Sequence, residues 1–360
     1  MSKRSSQVTV SRSLILGAAL AACAGAASAQ SNVTLYGRLD AAVQYSSKLA
    51  TVDDSRVELA NGGIRPSIWG LRGTEDLGGG LSAFFNLEAH FATDTGAATG
   101  PGAGQLGSGG FRRQANVGLK GGWGSVTLGR QYSPAILANL GTEPRAFKEN
   151  LSGLYPYAFN QFPAGNTVND LGIFLGNAVT YSNNFGPVYL GVGVAAGEGV
   201  GRSEVIGANY TTNVFTVSGS YQKIDGPADN SGTKHWMVGA ALPLGPFTIK
   251  ASYQGAKEEV LGTEISKVKF WGIGADWAWM PNHTLNVTYY DGKDDDNSGD
   301  KTKTFVISND YAISKRTTIY LQYAIADADV GSTARTSVIA NGNFPDEKTS
   351  VIALGVSHNF

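Results

Sequence analysis

The chain has one thiol, Cys23, so no intramolecular disulfide framework and no cysteine-based metal site is open to it. Charge is sparse at 16% of residues, and 28 Lys and Arg stand against 29 Asp and Glu. Without a basic excess, nucleic acid is excluded as a partner. Past the first 29 residues there is no apolar run near the ~20 residues that a membrane-crossing helix needs. Any insertion into a bilayer would therefore require a closed β-barrel, the other structure that satisfies every backbone group in lipid. The chain has four histidines, His90, His235, His283 and His358, and none lies in a nucleophile motif. A barrel-embedded enzyme would need a Ser/His or Asp/His constellation, which the sequence does not announce. The Asp294-Asp295-Asp296 run with Asp300 lacks the spaced ligands and closing Glu of a calcium loop and reads as solvated loop. No cofactor or metal is expected.

In place of these features stand 48 glycines and 10% aromatics, the composition of a β protein. The first segment is of another kind. Lys3, Arg4 and Arg12 precede the apolar stretch Leu14 to Ala26 and the small residues Ala27-Ser28-Ala29. That order is expected of a cleavable secretory signal over residues 1–29, with the mature chain starting at Gln30. A lipoprotein cut at Leu20-Ala21-Ala22-Cys23 is the rival. Removing residues 1–29 leaves 25 Lys and Arg against 29 Asp and Glu, a net charge of −4.

From Val33 onward the chain alternates. Val33, Leu35, Leu39 and Val43 interleave with Thr34, Arg38, Asp40 and Gln44, and Leu81 to Phe91 and Phe247 to Gln254 repeat the pattern. Strict alternation gives a strand with one apolar and one polar face. A soluble sandwich and a membrane barrel both produce it. The connections separate the two. Tight turns at Asp76–Gly80, Gly121–Gly124, Phe185–Pro187, Leu244–Pro246, Met280–Asn282 and Ser314–Arg316 alternate with long polar stretches at 96–110, 225–233, 291–303 and 327–347. Short turns at one end and long loops at the other belong to a barrel. Residues 276–289 also match 310–323 at an offset of 34, one hairpin used twice. Counting from turn to turn gives about 16 strands of ~10 residues, enough to enclose water. The expected fold is thus all-β, a transmembrane antiparallel barrel over residues 30–360.

Parity also selects residues that should face the lumen. Arg38 and Asp40 share the polar face of the first strand, Arg72 lies opposite in parity to Trp69 and Leu71, Glu88 is on the polar face of its strand, and Arg112 has the parity of Gln114 and Asn116. Charge on a membrane strand is tolerated only toward water. Trp277, Trp279, Tyr289, Tyr311 and Tyr323 keep the apolar parity and read as interfacial girdle residues.

Several phrases in this order resemble the Gram-negative general porins, most closely the trimeric branch of β-proteobacteria and Neisseria. They are Val33-Thr34-Leu35-Tyr36-Gly37, Trp69-Gly70-Leu71-Arg72-Gly73-Thr74-Glu75-Asp76-Leu77-Gly78, Gln114 to Leu119, Thr127-Leu128-Gly129-Arg130-Gln131, Ser314 to Thr317, and Gly355 to Phe360. The resemblance implies a homotrimer in the outer membrane, embedded in lipid and lipopolysaccharide, passing small hydrophilic solutes and ions. It implies a long loop folded into the lumen, here from after Tyr132 to about Phe174. It further implies a basic wall of Arg38, Arg72 and Arg130 facing acidic Glu143 on that loop, which also carries Arg145, Lys148 and Glu149. C-terminal Phe360 resembles the signal read by the barrel-assembly machinery. Two departures thin the basic wall, since Ile68 and Ser182 stand where related porins often carry basic residues. Arg130 raises a separate question: continued alternation from Val126 and Leu128 points it at lipid unless a bulge near Gly129 turns it. A weakly anion-leaning diffusion pore is the expectation; a channel specific for an oligosaccharide or an organic anion is the alternative. A plugged receptor is excluded by length.

Overall fold

The period-two pattern is realised as one continuous antiparallel wall. The computed structural model describes residues 32–49, 53–98, 110–161, 172–197, 201–339 and 343–360. The expected signal, Cys23 and the cut before Gln30 lie outside them. The first half of the wall comprises β1 (Asn32–Ser46), β2 (Arg56–Asn61), β3 (Ile68–Gly78), β4 (Leu81–His90), β5 (Gln114–Gly121), β6 (Gly124–Tyr132), β7 (Phe174–Phe185), β8 (Val188–Ala195) and β9 (Ser203–Thr211). The second comprises β10 (Thr216–Asp225), β11 (Gly232–Leu244), β12 (Phe247–Val260), β13 (Thr263–Met280), β14 (His283–Asp294), β15 (Lys301–Ala312), β16 (Thr317–Ala328) and β17 (Lys348–Asn359). β1 pairs with β17, which closes the barrel and removes its edges.

These seventeen segments make a sixteen-stranded barrel, because β2 and β3 occupy one place in the wall. The first half of β1 pairs with β3 through Asn32–Arg38, the second with β2 through Ala41–Ser46. Where β1 spends only Leu39 and Asp40, the opposite side spends the whole of Gly62 to Ser67. The surplus turns inward: Gly63 donates its N–H to Asp40 at 2.8 Å and accepts from Gln322 Nε2 at 3.0 Å. An Ile64 carbonyl bonded by the Glu149 N–H ties the same segment to the interior loop.

Outside, the wall is greasy: Val33, Leu35, Val43, Val117, Ile249, Leu321 and Leu354 are all exposed. Inside it is polar, with Gln44, Asn116, Gln222, Gln254, Asn286, Thr288, Ser308 and Gln322 buried against one another and against the interior loop. This inversion of the soluble pattern places lipid outside and water within. The two 34-offset repeats are the β13–β14 and β15–β16 hairpins. The expected long loop over 291–303 is shorter, since β14 runs to Asp294 and β15 begins at Lys301, and at that same end β12 and β13 are joined through Leu261-Gly262. Strands pair on beyond the apolar band there, so charged residues that read as loop are strand.

The seam between first and last strands is completed by the C-terminal residue. Phe360 exchanges backbone hydrogen bonds with Gly37, at 3.0 Å and 3.2 Å. Its ring lies over Gly37, so that a Cβ there would come 2.3 Å from Phe360 Cζ and 2.6 Å from the Ile68 carbonyl. Gly37→Ala is expected to weaken the closed barrel by about 1–3 kcal/mol through overpacking. Loss of heat-resistant folded protein at a lower temperature is the readout; an unchanged transition would show that the ring moves aside freely.

Candidate functional site: the lumen and its folded-in loop

The chain between β6 and β7 does not leave the barrel. It opens with Ser133, whose Oγ accepts from Ala135 N at 3.2 Å and caps α1 (Pro134–Asn139), a start favoured by proline in the first turn. A second short helix, α2 (Leu154–Phe159), follows. α1 rests on the inner faces of β8 to β11. Ser133 donates to Gln222 at 2.7 Å, Asn139 to Ser220 at 2.7 Å, and Thr142 lies 2.6 Å from Ser218, all three wall residues on β10.

From there the loop crosses the lumen. Arg145, only 2% exposed, donates to Asn286 and Ser308 at 2.9 Å each and also to Gln322, one acceptor on each of β14, β15 and β16. A planar guanidinium suits this three-point attachment because its donors spread as a fork. Lys148 pairs with Asp310 on β15 at 2.7 Å, and Asn150 donates to Gln44 on β1 at 2.8 Å. The loop is therefore a chord fixed at both ends to opposite walls.

Glu143 organises this chord from within. Its carboxylate accepts the N–H groups of Arg145 and Phe147 at 2.8 Å each and of Gly153 at 3.0 Å, and the Tyr290 hydroxyl at 2.6 Å. Ala146 and Phe147 both have positive φ, and a backbone turned this tightly needs an acceptor for its inward N–H groups. At 1% exposure the acid faces protein instead of the opening expected of it.

Beside the loop an opening of about 770 Å³ is bordered by five basic residues, Arg38, Arg65, Arg113, Arg145 and Lys148, and two acidic ones, Glu149 and Asp310. Several of these charges are already engaged: Arg145 is held by the wall, Lys148 by Asp310, and Arg113 by Glu88 at 2.7 Å and by the Tyr132 hydroxyl. Arg38 and Arg65 make no salt bridge among the described residues, and Arg38 Nε is enclosed without a hydrogen-bond partner. Burial raises the Glu149 carboxyl above its usual pKa, Asp40 adding to the effect while Arg113 and Arg38 oppose it. Burial likewise lowers Lys148, with Asp310 working against the shift. On the loop side the border is apolar: Leu137 and Leu140 are 42% and 46% exposed to the lumen.

The residues singled out from the sequence divide accordingly. Arg38 edges the opening. Arg72 is exposed on the inner wall with its guanidinium 5.0 Å over the Tyr36 ring. It lies four residues along β3 from Ile68, the partner of Arg38, so about 13 Å toward the short-turn end. Asp40, fully buried, accepts from Gly63, from Arg65 N at 3.1 Å and from the Tyr320 hydroxyl at 2.6 Å. Glu88 is buried in its pair with Arg113 and accepts from Tyr36 at 3.0 Å. Arg112 is buried just ahead of β5, and it is the next residue, Arg113, that borders the opening, because regular alternation begins only at Gln114. Arg130 donates through Nε to the Arg112 carbonyl and lies 5.5 Å from the Phe174 ring, at a register shift between Gly129 and Gln131 where Gly129 has φ +107°. Neither Arg112 nor Arg130 edges the opening. Two residues that do, Arg65 and Arg113, escape a parity argument because both sit where alternation is broken. The Gly62-Gly63 pair and Pro66 are the trace of that break in the sequence.

A closed membrane barrel with a polar interior, narrowed by its own loop and edged by arginine, defines an outer-membrane pore. The model of a family described as Gram-negative porin matches residues 17–331, and the chain belongs to that family. Outer membrane porin protein 32 of Delftia acidovorans is 30% identical over 397 residues, covering 97% of this chain and 99% of the relative. The major outer membrane protein P.IB of Neisseria gonorrhoeae is 35% identical over 126 residues, 33% of this chain and 32% of its own. A solved structure described as the anion-selective porin from Comamonas acidovorans matches with a TM-score of 0.79 and 27% identity, over 92% of this chain and all of its own. The protein is an integral outer-membrane porin.

Proposed function

We propose that this porin is a passive, anion-leaning diffusion channel for small hydrophilic solutes, made with a cleavable signal over residues 1–29 and assembled as a homotrimer. The observation that carries the anion preference is the pair Arg38 and Arg65, which make no salt bridge among the described residues at the edge of an opening where five basic residues meet two acidic ones. Fixed charge at a narrow section acts on every passing ion, whereas rim charges are screened over about 8 Å at physiological ionic strength. The net charge of −4 after signal removal is therefore a poor guide to selectivity. The description of the Comamonas relative as anion-selective agrees with this reading. Trimerisation is supported by the outer surface: β1 to β6 present mostly aliphatic residues such as Val33, Leu35, Val43, Val117, Leu119 and Leu128, while aromatics concentrate on β10 to β16. Phe360 at the seam is read as the element recognised by the assembly machinery. No catalytic role is assigned; His235, His283 and His358 bond Gln254, Asn309 and Thr317.

Reversal potentials in a KCl gradient across a planar bilayer test the reading. An Arg38→Gln, Arg65→Gln variant is expected to lose most of the anion preference, and Arg72→Gln to change it less. Unchanged selectivity in the double variant would place the selective section elsewhere. A channel tuned to an organic anion is the second reading, favoured by Leu137 and Leu140 facing the basic edge. Liposome swelling over solutes of graded size, charge and apolar area separates the two.

A further inference from the structure

Permeation of small ions leaves the apolar side of the opening unaccounted for. Both short helices of the interior loop turn a pair of apolar side chains toward it. α1 buries Pro134, Ala135, Ile136, Ala138 and Asn139 and leaves Leu137 exposed, with exposed Leu140 three residues on, so the two lie on one face. α2 does the same with Tyr155 and Phe159, whose rings are nearly parallel, their centroids 6.2 Å apart at 20°. All four border the opening. α1 cannot rotate its leucines away. Asn209 donates to the Ala138 carbonyl at 3.2 Å, Asn139 donates to Ser220, and the helix start lies so close to β9 that a Cβ on Gly207 would come 2.4 Å from the Pro134 carbonyl. Apolar surface at a narrow section hinders hydrated ions, so a path for ions alone would be better lined by polar groups.

The wall side of the same opening is basic. Arg38 on β1 and Arg65 on the inward segment after β2 make no salt bridge among the described residues, and Arg38 Nε is enclosed without a hydrogen-bond partner. Guanidinium forks of this kind suit a carboxylate. At about 770 Å³ the opening has the size of a small-molecule site, roughly 300–1,000 Å³, and shares its make-up of mainly apolar and aromatic side chains with a few polar groups. That make-up also sets the solute. Hydroxyl groups laid against Leu137, Leu140 and Phe159 would give up water without gaining a partner, whereas methylenes gain by leaving water. A second carboxylate on the solute would lie among the same side chains or beside Glu149, which stands on the same border. One charge and an apolar body therefore fit where two charges or many hydroxyls do not.

We infer that the opening is a selective site for amphipathic monocarboxylates, acids whose single charge rests on Arg38 and Arg65 while an apolar ring or chain passes over Leu137, Leu140, Tyr155 and Phe159. This rests on the anion-leaning reading of the pore and goes beyond it. Among anions of one charge and similar size, those with fewer hydroxyl groups are held more tightly.

The test uses the whole porin in a planar bilayer in KCl at about pH 8, where carboxylic acids are ionised. The probes are cyclohexanecarboxylate and quinate, the same ring and carboxylate without and with hydroxyl groups. An acid that dwells in the opening interrupts the chloride current, so its half-blocking concentration reports occupancy. The native channel should need at least about tenfold less cyclohexanecarboxylate than quinate. A Leu137→Ser, Leu140→Ser variant should bring the two values together, a Leu137→Ile, Leu140→Ile variant should keep them apart, and Leu261→Ser in the exposed turn between β12 and β13 should leave both as they are. An Arg38→Gln, Arg65→Gln variant should raise both values. Equal half-blocking concentrations in the native channel would overturn the inference whatever the variants do. So would a difference that survives in the Ser variant. The reversal potential of the native channel in a KCl gradient keeps the two claims apart: cation preference counts against the anion-leaning reading, and anion preference without discrimination between the acids counts against the amphipathic site alone.

Discussion

Arg145→Leu is expected to free the interior loop, raising single-channel conductance and its noise while lowering the unfolding temperature. The guanidinium joins the loop to three consecutive strands on the wall opposite its roots, and it is almost wholly withdrawn from water. Removing it strands the acceptors of Ser308 and Gln322 in the interior, while Asn286 Oδ1 keeps only the Thr288 hydroxyl at 2.9 Å. A buried neutral acceptor left without its donor costs about 1–3 kcal/mol. Arg145→Lys should fall between, because an ammonium keeps the charge without the fork that reaches all three strands. The result discriminates between two roles. Were Arg145 a pore-facing charge, its loss would first reduce anion preference at nearly constant conductance; as a strut, its loss changes pore size first. A variant with native conductance and altered selectivity would return Arg145 to the pore lining.

For Asp40→Ala the sign of the selectivity change carries the argument. An acid facing the channel would, on removal, leave the pore more anion-selective. Asp40 instead accepts two backbone N–H groups and the Tyr320 hydroxyl, and so holds the inward segment that carries Arg65. Its removal leaves three buried donors unsatisfied, at about 1–3 kcal/mol each. We expect a clear loss of stability together with weaker anion preference, approaching that of Arg65→Gln, since Arg65 loses its fixed position. Asp40→Asn keeps one acceptor oxygen and should be milder in both respects. Bilayer selectivity measured beside thermal unfolding decides it; stronger anion preference in the Ala variant would put the carboxylate back in the channel.

Alternation made the barrel readable because a wall with lipid on one side and water on the other imposes period two on nearly every strand. The same logic placed Arg38 and Arg72 on the inner face. It failed where the backbone leaves the ladder. Arg65 rides on residues that depart from the wall between β2 and β3, Arg113 precedes the first regular pair of β5, and Arg130 sits at the Gly129 irregularity. Parity has no meaning at such points. The loop was found by its length and lack of pattern, yet which of its charges meet water depends on contacts far away in sequence. Glu143 reaches Tyr290 and Arg145 reaches Gln322, separations of 147 and 177 residues. Local periodicity contains no trace of those pairings, so two charges expected at the pore prove to be holding the loop.

The pairing of β1 with β17 also dictates a timetable. Arg38 meets Asn359, and no stretch of chain shorter than nearly the whole molecule can complete the ring. Pairing across so long a separation is slow, because most of the entropy of ordering is spent before the last contacts form. Until then both terminal strands remain open edges, free to pair with any other strand they encounter. The risk lasts as long as the ring stays open. A chain of this topology therefore stays open to wrong strand pairings for as long as its two ends have not found each other.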